Sequence, residues 1–347
     1  MISVIIPVYN GADQGLKECL NSVAIQNFKD LEVIVIDDAS TDNSGKIILD
    51  FVSKYGWILL HNEHNQGLAK SLNRGINTSK GDYVLILQQD SMLLNENVLA
   101  EAYSFMNENK EIGILVGRQV YSFDKLNFYQ IFTEFRLNHI ILHAKVNKYV
   151  NLTENKCDLI RREALDKIGN FDTDLRIAGE DHVFSYNARK MGIKLYIGDA
   201  LKYKNFLKGE DNFKGVLRKE YIYGYYAPKV IKKTKVVKKI DEMQGSFEKP
   251  KVKNRSLAVI LPSLIILFFI LFLLTGSYIF ILLIFIVLAY RAFDIYYDLR
   301  KIRKMIPELK LNVAYAFFMT ILADFTYLVG FFMGTIKLLE NSDKSNE

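Results

Sequence analysis

The sequence contains little cysteine and little proline. Its 347 residues include two cysteines, Cys19 and Cys157, and five prolines. Two cysteines so far apart cannot form the disulfide framework of a small secreted domain, so we expect a reducing, cytosolic setting for the polar part of the chain. The low proline content and a charged fraction of 24% argue against long disordered regions.

A secretory leader and a widespread basic surface are also missing. The first apolar stretch, Val4-Ile5-Ile6, follows no basic leader and runs directly into Pro7, so we expect no signal peptide. The net charge is +6, but residues 229–255 alone hold 9 Lys and 1 Arg against 3 acidic residues. The rest of the chain therefore sums to about −1 and has no electrostatic footprint for a nucleic-acid partner.

Long hydrophobic runs, in contrast, are present near the C-terminus. The first, Leu257–Phe293, would form a helix roughly 55 Å long, against about 30 Å for the hydrocarbon core of a bilayer. We expect it to break at Thr275-Gly276-Ser277 into two spans, 257–275 and 278–294. These spans predict a membrane hairpin.

The flanking charges predict the orientation of this hairpin. Basic residues precede it in the stretch 229–255 and follow it at Arg300, Lys301, Arg303 and Lys304. By the positive-inside rule, both ends lie in the cytoplasm. This indicates a multi-pass protein of the cell membrane whose polar domain lies on the cytoplasmic face.

A second apolar helix is predicted at about 311–337, and it carries Asp324 near its middle. Both a third span and a helix lying in the membrane interface agree with this pattern. The aromatic segment Tyr221–Tyr226, next to the lysine-rich stretch, predicts contact with membrane lipids or stacking on sugar rings of an acceptor.

Strand and helix patterns alternate through the N-terminal half. Short runs of Val, Ile and Leu predict buried strands at Ser3–Val8, Leu31–Ile36, Trp57–Leu60 and Tyr83–Leu87. Helical patterns lie at Gly15–Ile25, Ser44–Tyr55 and Leu68–Asn77. Nearly continuous apolar strands are typical of a parallel sheet covered on both faces. The predicted fold class is α/β, with an open, mostly parallel, Rossmann-like sheet that binds ligands beyond the carboxyl ends of its strands.

Polar side chains follow three of these strands. Tyr9-Asn10 follows the first strand, Asp37-Asp38 the second and Asp90 the fourth. Any one of them is more readily a turn former or a helix cap, but three at one sheet edge predict a ligand site. An acid there can bind a ribose, and Asp90 can hold Mg²⁺ or Mn²⁺ against a diphosphate. Together these groups suit a nucleotide sugar, and because no glycine-rich phosphate loop is present, its diphosphate must be bound in another way.

Several segments resemble the family 2 glycosyltransferases of GT-A fold. They are Ser-Val-Ile-Ile-Pro-Val-Tyr-Asn at 3–10, Val-Ile-Asp-Asp-Ala-Ser-Thr-Asp at 35–42, Asn-Gln-Gly-Leu-Ala at 65–69, Gly-Asp-Tyr-Val-Leu-Ile-Leu-Gln-Gln-Asp at 81–90, Ile-Gly-Asn-Phe-Asp at 168–172 and Gly-Glu-Asp-His-Val-Phe-Ser at 179–185. They occur in the family's order over about residues 2–200. The resemblance implies an inverting enzyme that uses a nucleotide-diphosphate sugar and Mg²⁺ or Mn²⁺.

The resemblance also implies roles for individual residues. Asp181 matches the family's catalytic base and Asp90 the last acid of its metal-binding Asp-x-Asp motif, whose first acid is Gln88 here. The residues implied in nucleotide and substrate binding are Pro7, Tyr9, Asn10, Asp37, Asp38, Asn65, Gly67 and Glu180. The Gln-Gln-Asp sequence resembles that of rhamnosyl- and galactofuranosyl-type members, and we expect its single carboxylate to bind metal weakly. A role for Asp181 as a helix cap is compatible with a role as base.

The acceptor is predicted from the membrane helices and from a missing motif. The Gln-x-x-Arg-Trp motif of processive polysaccharide synthases is absent, which disfavours repeated chain extension. Because an anchored catalytic domain meets lipid carriers at the cytoplasmic face, we expect transfer to a lipid-linked saccharide or a similar membrane acceptor. A polyprenyl-phosphate sugar synthase and a catalytically silent, nucleotide-sugar-binding membrane scaffold are the alternatives. The predicted parts are a catalytic domain at 1–220, an aromatic and basic membrane-proximal helical segment at 221–255, a membrane domain at 256–338 and a polar tail at 339–347.

Overall fold

The computed structural model describes residues 1–137, 139–144, 146–234, 253–309 and 311–343. Their contacts group them into two compact units. The first contains residues 1–121, 146–208 and 233–234, and the second contains 122–144 without 138, 209–232, 253–309 and 311–343. Most of the lysine-rich part of the predicted segment 221–255, together with the last four residues of the predicted tail, lies outside the described residues.

The first unit is built on one mixed sheet of nine strands. The strands are Ile2–Val8 (β1), Leu31–Asp37 (β2), Ile58–His61 (β3), Tyr83–Leu87 (β4), Ser91–Leu93 (β5), Ile112–Gln119 (β6), Lys148–Val150 (β7), Cys157–Arg161 (β8) and Lys194–Asn205 (β9). Their order is β3-β2-β1-β4-β8-β6-β9-β5, and β7 pairs with β9. The parallel part is β3-β2-β1-β4, whereas β8 is antiparallel to both of its neighbours.

Helices connect the strands and pack on the sheet. In chain order, the α-helices of the described residues are Leu16–Ala24 (α1), Ser44–Tyr55 (α2), Leu68–Thr78 (α3), Val98–Glu108 (α4), Phe128–Arg136 (α5), His139–Ala144 (α6), Arg162–Ile168 (α7), Glu180–Lys190 (α8), Phe213–Thr234 (α9), Lys253–Thr275 (α10), Ile279–Met305 (α11) and Val313–Asp343 (α12). Every residue of β1 is buried, because this central strand is covered on both faces. The predicted α/β sheet is confirmed, and the four predicted strands and three predicted helices each match to within one residue at either end.

The second unit contains three helices that are long and apolar enough to cross a membrane, at Ser256–Thr275, Ile279–Met305 and Val313–Asn341. The predicted break is at Gly276, whose φ of +65° lies in the left-handed region that favours glycine. Helix α11 continues eleven residues past the predicted end at 294. Its continuation is amphipathic, since the buried Ile295, Leu299 and Ile302 recur at helical spacing.

The acid in the middle of α12 is buried in an ion network within the second unit. Asp324 Oδ1 accepts a hydrogen bond from Arg136 Nη2 at 2.8 Å, and Asp324 Oδ2 accepts one from Arg291 Nε at 2.9 Å. Arg136 also donates to Glu220 at 2.8 Å, and Arg291 to Asp294 at 2.9 Å. An apolar helix can therefore carry Asp324, because two guanidinium groups from other helices compensate its charge.

Three glycines bring α9 and α12 into backbone contact. A Cβ atom built on Gly330 would lie 2.2 Å from the carbonyl oxygen of Tyr221, and one built on Gly334 would lie 2.0 Å from that of Tyr225. On the facing helix, a Cβ on Gly224 would lie 2.1 Å from the carbonyl oxygen of Tyr327. The aromatic segment 221–226 thus packs on α12 through its backbone, and any larger residue at these glycines would separate the two helices.

Candidate active site

The loops after β1 and β4 are joined by the side chain of Gln89. The backbone N–H of Tyr9 donates to Gln89 Oε1 at 2.8 Å, and Gln89 Nε2 donates back to the Tyr9 carbonyl at 3.1 Å. A Cβ atom on Gly11 would lie 2.6 Å from Gln89 Oε1, so only glycine leaves room for this amide. Gln89, the middle residue of the Gln-Gln-Asp sequence, therefore holds the loop after β1 against the loop after β4.

Asn10 joins the loops after β1 and β2. Its φ of +49° is in the left-handed region, which asparagine tolerates better than most residues. Its N–H donates to Ser40 Oγ at 3.1 Å, and its Oδ1 accepts from the Thr41 N–H at 2.8 Å. Pro7 lies earlier, buried within β1, whereas Tyr9 is 45% exposed at the strand end. Tyr9 is thus available to a ligand, and Asn10 shapes the loop around it.

Asp38 organises the loop that leads into α3. Asp38 is only 4% exposed. Its Oδ1 accepts hydrogen bonds from Asn62 Nδ2 at 2.7 Å and from the Gln66 N–H at 2.8 Å. Its Oδ2 accepts one from the Gly67 N–H at 2.8 Å. Gly67 has a φ of +90°, and a Cβ there would lie 2.8 Å from the Arg176 carbonyl oxygen. The sequence identified both residues but not this contact between them.

The neighbouring Asp37 is also engaged within the protein. Its Oδ1 accepts from the Ser40 N–H at 3.0 Å, and its Oδ2 lies 3.2 Å from His61 Nδ1. Each carboxylate oxygen can accept more than one hydrogen bond, so Asp37 and Asp38 retain capacity for a ligand hydroxyl or base. Their contact with base and ribose stays a prediction.

The segment before α8 is attached to the same edge of the sheet. Arg176 Nη2 donates to Asn65 Oδ1 at 2.8 Å, so the predicted far wall of the pocket packs on this segment. Further along, the Ser185 hydroxyl of α8 accepts from the Thr153 N–H at 3.0 Å. Two contacts thus fix the beginning of α8, which carries Glu180 and Asp181, relative to the strand-end loops.

Asp181 lies in the first turn of α8 and is not its cap. The N-cap position is Gly179, in the left-handed region and without a side chain to accept a hydrogen bond. The proposed capping role of Asp181 is therefore wrong, because the helix begins two residues earlier than that role requires. The Asp181 carboxylate is half-buried, and its Oδ1 accepts from the His182 N–H at 2.8 Å.

Glu180 forms an unequal pair with Asp181. Burial, and secondly the charge of Asp181, raise the pKa of Glu180 to about 8. Glu180 is 5% exposed, and its Oε2 has no hydrogen-bond partner among the residues that the structure describes. Near neutral pH the buried Glu180 carboxyl is therefore protonated.

The candidate metal residue Asp90 lies in a turn that is held on both sides. Its carbonyl oxygen accepts from the Phe206 N–H, and the Gln88 N–H donates to the Lys156 carbonyl, each at 2.9 Å. Within the described part of the chain, no group of three or more His, Cys, Asp or Glu side chains is placed to hold an ion. Mg²⁺ commonly binds through one or two carboxylates plus substrate phosphates, so a single Asp90 carboxylate fits an ion shared with a bound diphosphate.

Sequence reasoning missed two charged residues that precede β8, one acidic and one basic. Glu154 and Lys156 form an ion pair at 3.3 Å, and both side chains are largely buried. They lie beside Gln88 because β8 inserts antiparallel next to β4, pairing Leu87 with Cys157. A local sequence pattern gives no signal of this pairing, which joins segments about 70 residues apart.

The chain is similar to known glycosyltransferases over much of its length. Residues 3–169 match the model of Glycosyl transferase family 2. The glycosyltransferase GlyG of Streptococcus pneumoniae is 35% identical over 132 residues, which cover 37% of this chain and 42% of GlyG. An uncharacterised glycosyltransferase of Methanocaldococcus jannaschii, MJ1057, is 27% identical over 240 residues, or 68% of this chain and 80% of that protein. The match thus spans less than half of GlyG.

A solved structure shows the same fold. The mannosyltransferase PcManGT of Pyrobaculum calidifontis, in complex with GDP-Man and Mn²⁺, aligns with a TM-score of 0.56 at 16% identity. The alignment covers 96% of this chain and 86% of that one. The resemblance to family 2 and the GT-A architecture predicted from the sequence are both confirmed.

Proposed function

This chain carries a glycosyltransferase family 2 domain of GT-A fold, and on that basis we propose that it is a membrane-anchored, inverting glycosyltransferase. It moves a sugar from a nucleotide-diphosphate donor to a lipid-linked saccharide or a similar membrane acceptor. The observation that supports the proposal is the Arg176–Asn65 hydrogen bond, which attaches the segment leading into α8 to a strand-end loop. The first turn of α8 carries Asp181.

The proposed reaction is a single displacement. An acceptor hydroxyl attacks the anomeric carbon, its proton passes to the Asp181 carboxylate, and the nucleoside diphosphate leaves from the opposite face with inversion. A positioned base typically contributes about 10²–10⁴-fold to the rate. The protonated Glu180 adds no negative charge beside the Asp181 carboxylate in this proposal.

The donor is held, in this proposal, between the loops after β1, β2 and β4. Asp37 and Asp38 accept hydrogen bonds from base and ribose, and Tyr9 covers the nucleotide with its exposed ring. Mg²⁺ or Mn²⁺, when bound by Asp90, neutralises charge on the departing diphosphate. PcManGT binds GDP-Man with Mn²⁺ on the same fold, which supports this class of donor and metal.

The membrane acceptor is inferred from the second unit. Three helices in it are long and apolar enough to cross a bilayer. Basic residues flank the first two helices, which favours the cytoplasmic face for the catalytic domain. An anchored enzyme at that face encounters lipid-linked saccharides, and a polyprenyl phosphate itself is the alternative acceptor. Gln88 favours the saccharide, since the polyprenyl-phosphate sugar synthases of family 2 usually have an acid at this position.

The assay for this proposal uses membranes that contain the full-length protein. They are incubated with labelled nucleotide-diphosphate sugars and Mn²⁺, and the lipid phase is extracted with organic solvent. We expect label in the lipid phase, released as an oligosaccharide by mild acid, and none from membranes that carry Asp181→Asn. Label confined to water-soluble products would contradict the membrane acceptor, and label released as a single sugar would favour the polyprenyl-phosphate alternative.

Metal dependence gives a separate prediction about Asp90. Chelation by EDTA is expected to lower transfer at least tenfold, because charge on the leaving diphosphate is then no longer neutralised. Asp90→Asn should raise the Mn²⁺ concentration for half-maximal activity at least tenfold, whereas Gln88→Asp, which adds a carboxylate, should lower it. Manganese titration of the transfer rate measures both effects. Unchanged titration curves for both variants would show that this turn does not bind the ion.

A further inference from the structure

A cationic cavity lies in the second unit, at the polar end of α11 and the start of α12. Its volume is about 270 Å³. The residues that line it are Tyr296, Leu299, Arg300, Arg303, Lys304 and Val313. Three of these six are cationic and none is acidic. The residues that line it all belong to the second unit, whereas those of the candidate active site belong to the first.

The charge of this cavity is not compensated within the described chain. Over the described ranges, neither Arg300 nor Lys304 forms an ion pair, and Arg303 has only a hydrogen bond from Nη2 to the Leu311 carbonyl at 2.6 Å. Arg291, on the same helix, is in contrast paired with both Asp294 and Asp324. The arginine nearer the middle of the helix is thus neutralised by the protein, and the cations at its end remain available to an external anion.

The position along α11 indicates which anion is within reach. Arg300 follows Ile279 by 21 residues, or about 32 Å of helix, which is close to the roughly 30 Å thickness of the hydrocarbon core. Tyr296 and Tyr297, one turn earlier, are 50% and 60% exposed, as in the aromatic belts at membrane interfaces. When α11 crosses the bilayer from Ile279, the three cations therefore reach the layer of lipid phosphates.

We propose that this cavity binds the phosphate of an anionic phospholipid headgroup. Guanidinium and ammonium groups form short, charge-assisted hydrogen bonds with phosphate oxygens, and the cavity has room for a headgroup. Its net positive charge selects an anionic lipid over a zwitterionic one. The bound lipid would fix the end of α11 in the cytoplasmic leaflet, and this inference does not depend on the proposed sugar transfer.

The helix itself offers a matched pair of variants for the test. Lys304 and Lys301 are both exposed on the last turns of α11, but only Lys304 lines the cavity. Native mass spectrometry of the full-length protein in detergent, mixed with equal amounts of phosphatidylglycerol and phosphatidylcholine, would count the lipids bound. We expect at least fivefold more bound phosphatidylglycerol than phosphatidylcholine. Lys304→Gln should lose at least fivefold of that binding and Lys301→Gln less than twofold, at equal melting temperatures.

Other results would overturn the assignment. Equal losses in the two variants, or no loss in either, would mean that the cations act only as general interfacial charge. Two competitors, added to the bound lipid, identify the source of the phosphate. Displacement of phosphatidylglycerol by millimolar inorganic phosphate would show a site for free phosphate, and displacement by equimolar polyprenyl diphosphate would show a site for an acceptor lipid. Retention of phosphatidylglycerol against both competitors is the result that the proposal requires.

Discussion

Replacing Asp181 with asparagine is expected to lower the rate of sugar transfer by about 10²–10⁴-fold, the usual contribution of a positioned general base. The amide keeps the size of the carboxylate but cannot take the acceptor proton. Because Gly179, and not Asp181, occupies the N-cap position, α8 should begin at the same residue in the variant. Donor binding, measured by calorimetry with the full-length protein, should therefore stay within a few-fold of the wild-type value.

Glu180→Gln is the informative control for this variant. Burial and the charge of Asp181 raise the pKa of Glu180 to about 8, so the side chain is protonated at neutral pH and glutamine resembles that form. We expect a loss in rate of less than tenfold at pH 7. In the wild type, stability should fall as pH rises from about 4.5 to about 8, because over this range the unfolded chain loses the Glu180 proton that the folded chain keeps, whereas the variant should lack this dependence. Equal losses of donor binding and transfer in Asp181→Asn would instead indicate a structural role.

Replacing Asp324 with alanine is expected to lower the unfolding free energy of the second unit by about 3–5 kcal/mol. The carboxylate bonds Arg136 and Arg291, and all three side chains are buried. Its removal leaves two buried guanidinium groups without their shared partner. Alanine cannot accept their hydrogen bonds or compensate their charge. Titration of the purified protein in detergent micelles with a denaturing detergent measures this change in unfolding free energy.

The same helix supplies the comparison for Asp324. Glu340 forms an ion pair with Lys337 at 3.2 Å, but both side chains are 55% exposed. Exposed pairs contribute about 0–1 kcal/mol, so Glu340→Gln should unfold nearly as the wild type does. Similar losses for Asp324→Ala and Glu340→Gln would mean that the buried network does not hold the helices together.

The elements of the fold that could be predicted from the sequence are those with a hydrophobic pattern within their own segment. Strands β1, β2 and β4 lie inside the sheet and are largely buried, so each consists mostly of Val, Ile and Leu. The long apolar helices and the break at Gly276 are equally visible in hydropathy. The residues proposed to bind the nucleotide sugar could be predicted from these strands, because the carboxyl ends of parallel strands meet at one edge of the sheet.

The remaining features depend on contacts between distant segments. Strand β8 inserts antiparallel beside β4 and brings Glu154 and Lys156 next to Gln88, which no periodicity within either strand reveals. The raised pKa of Glu180 arises from burial, and the two hydrogen bonds of Gln89 to Tyr9 arise from loop packing. Such properties belong to the assembled sheet, so sequence patterns could supply the residue types but not their protonation or partners.

Binding of the donor is the step on which the proposed function depends. Thermal unfolding of the full-length protein can be followed with a panel of nucleotide-diphosphate sugars, with and without Mn²⁺. A ligand at one hundred times its dissociation constant adds about 2.7 kcal/mol to the stability of the form that binds it. We predict that at least one nucleotide sugar raises the melting temperature, more strongly with Mn²⁺ and more weakly in Asp90→Asn. A melting temperature that no nucleotide sugar raises, with or without the metal, would contradict a donor site at the ends of these strands.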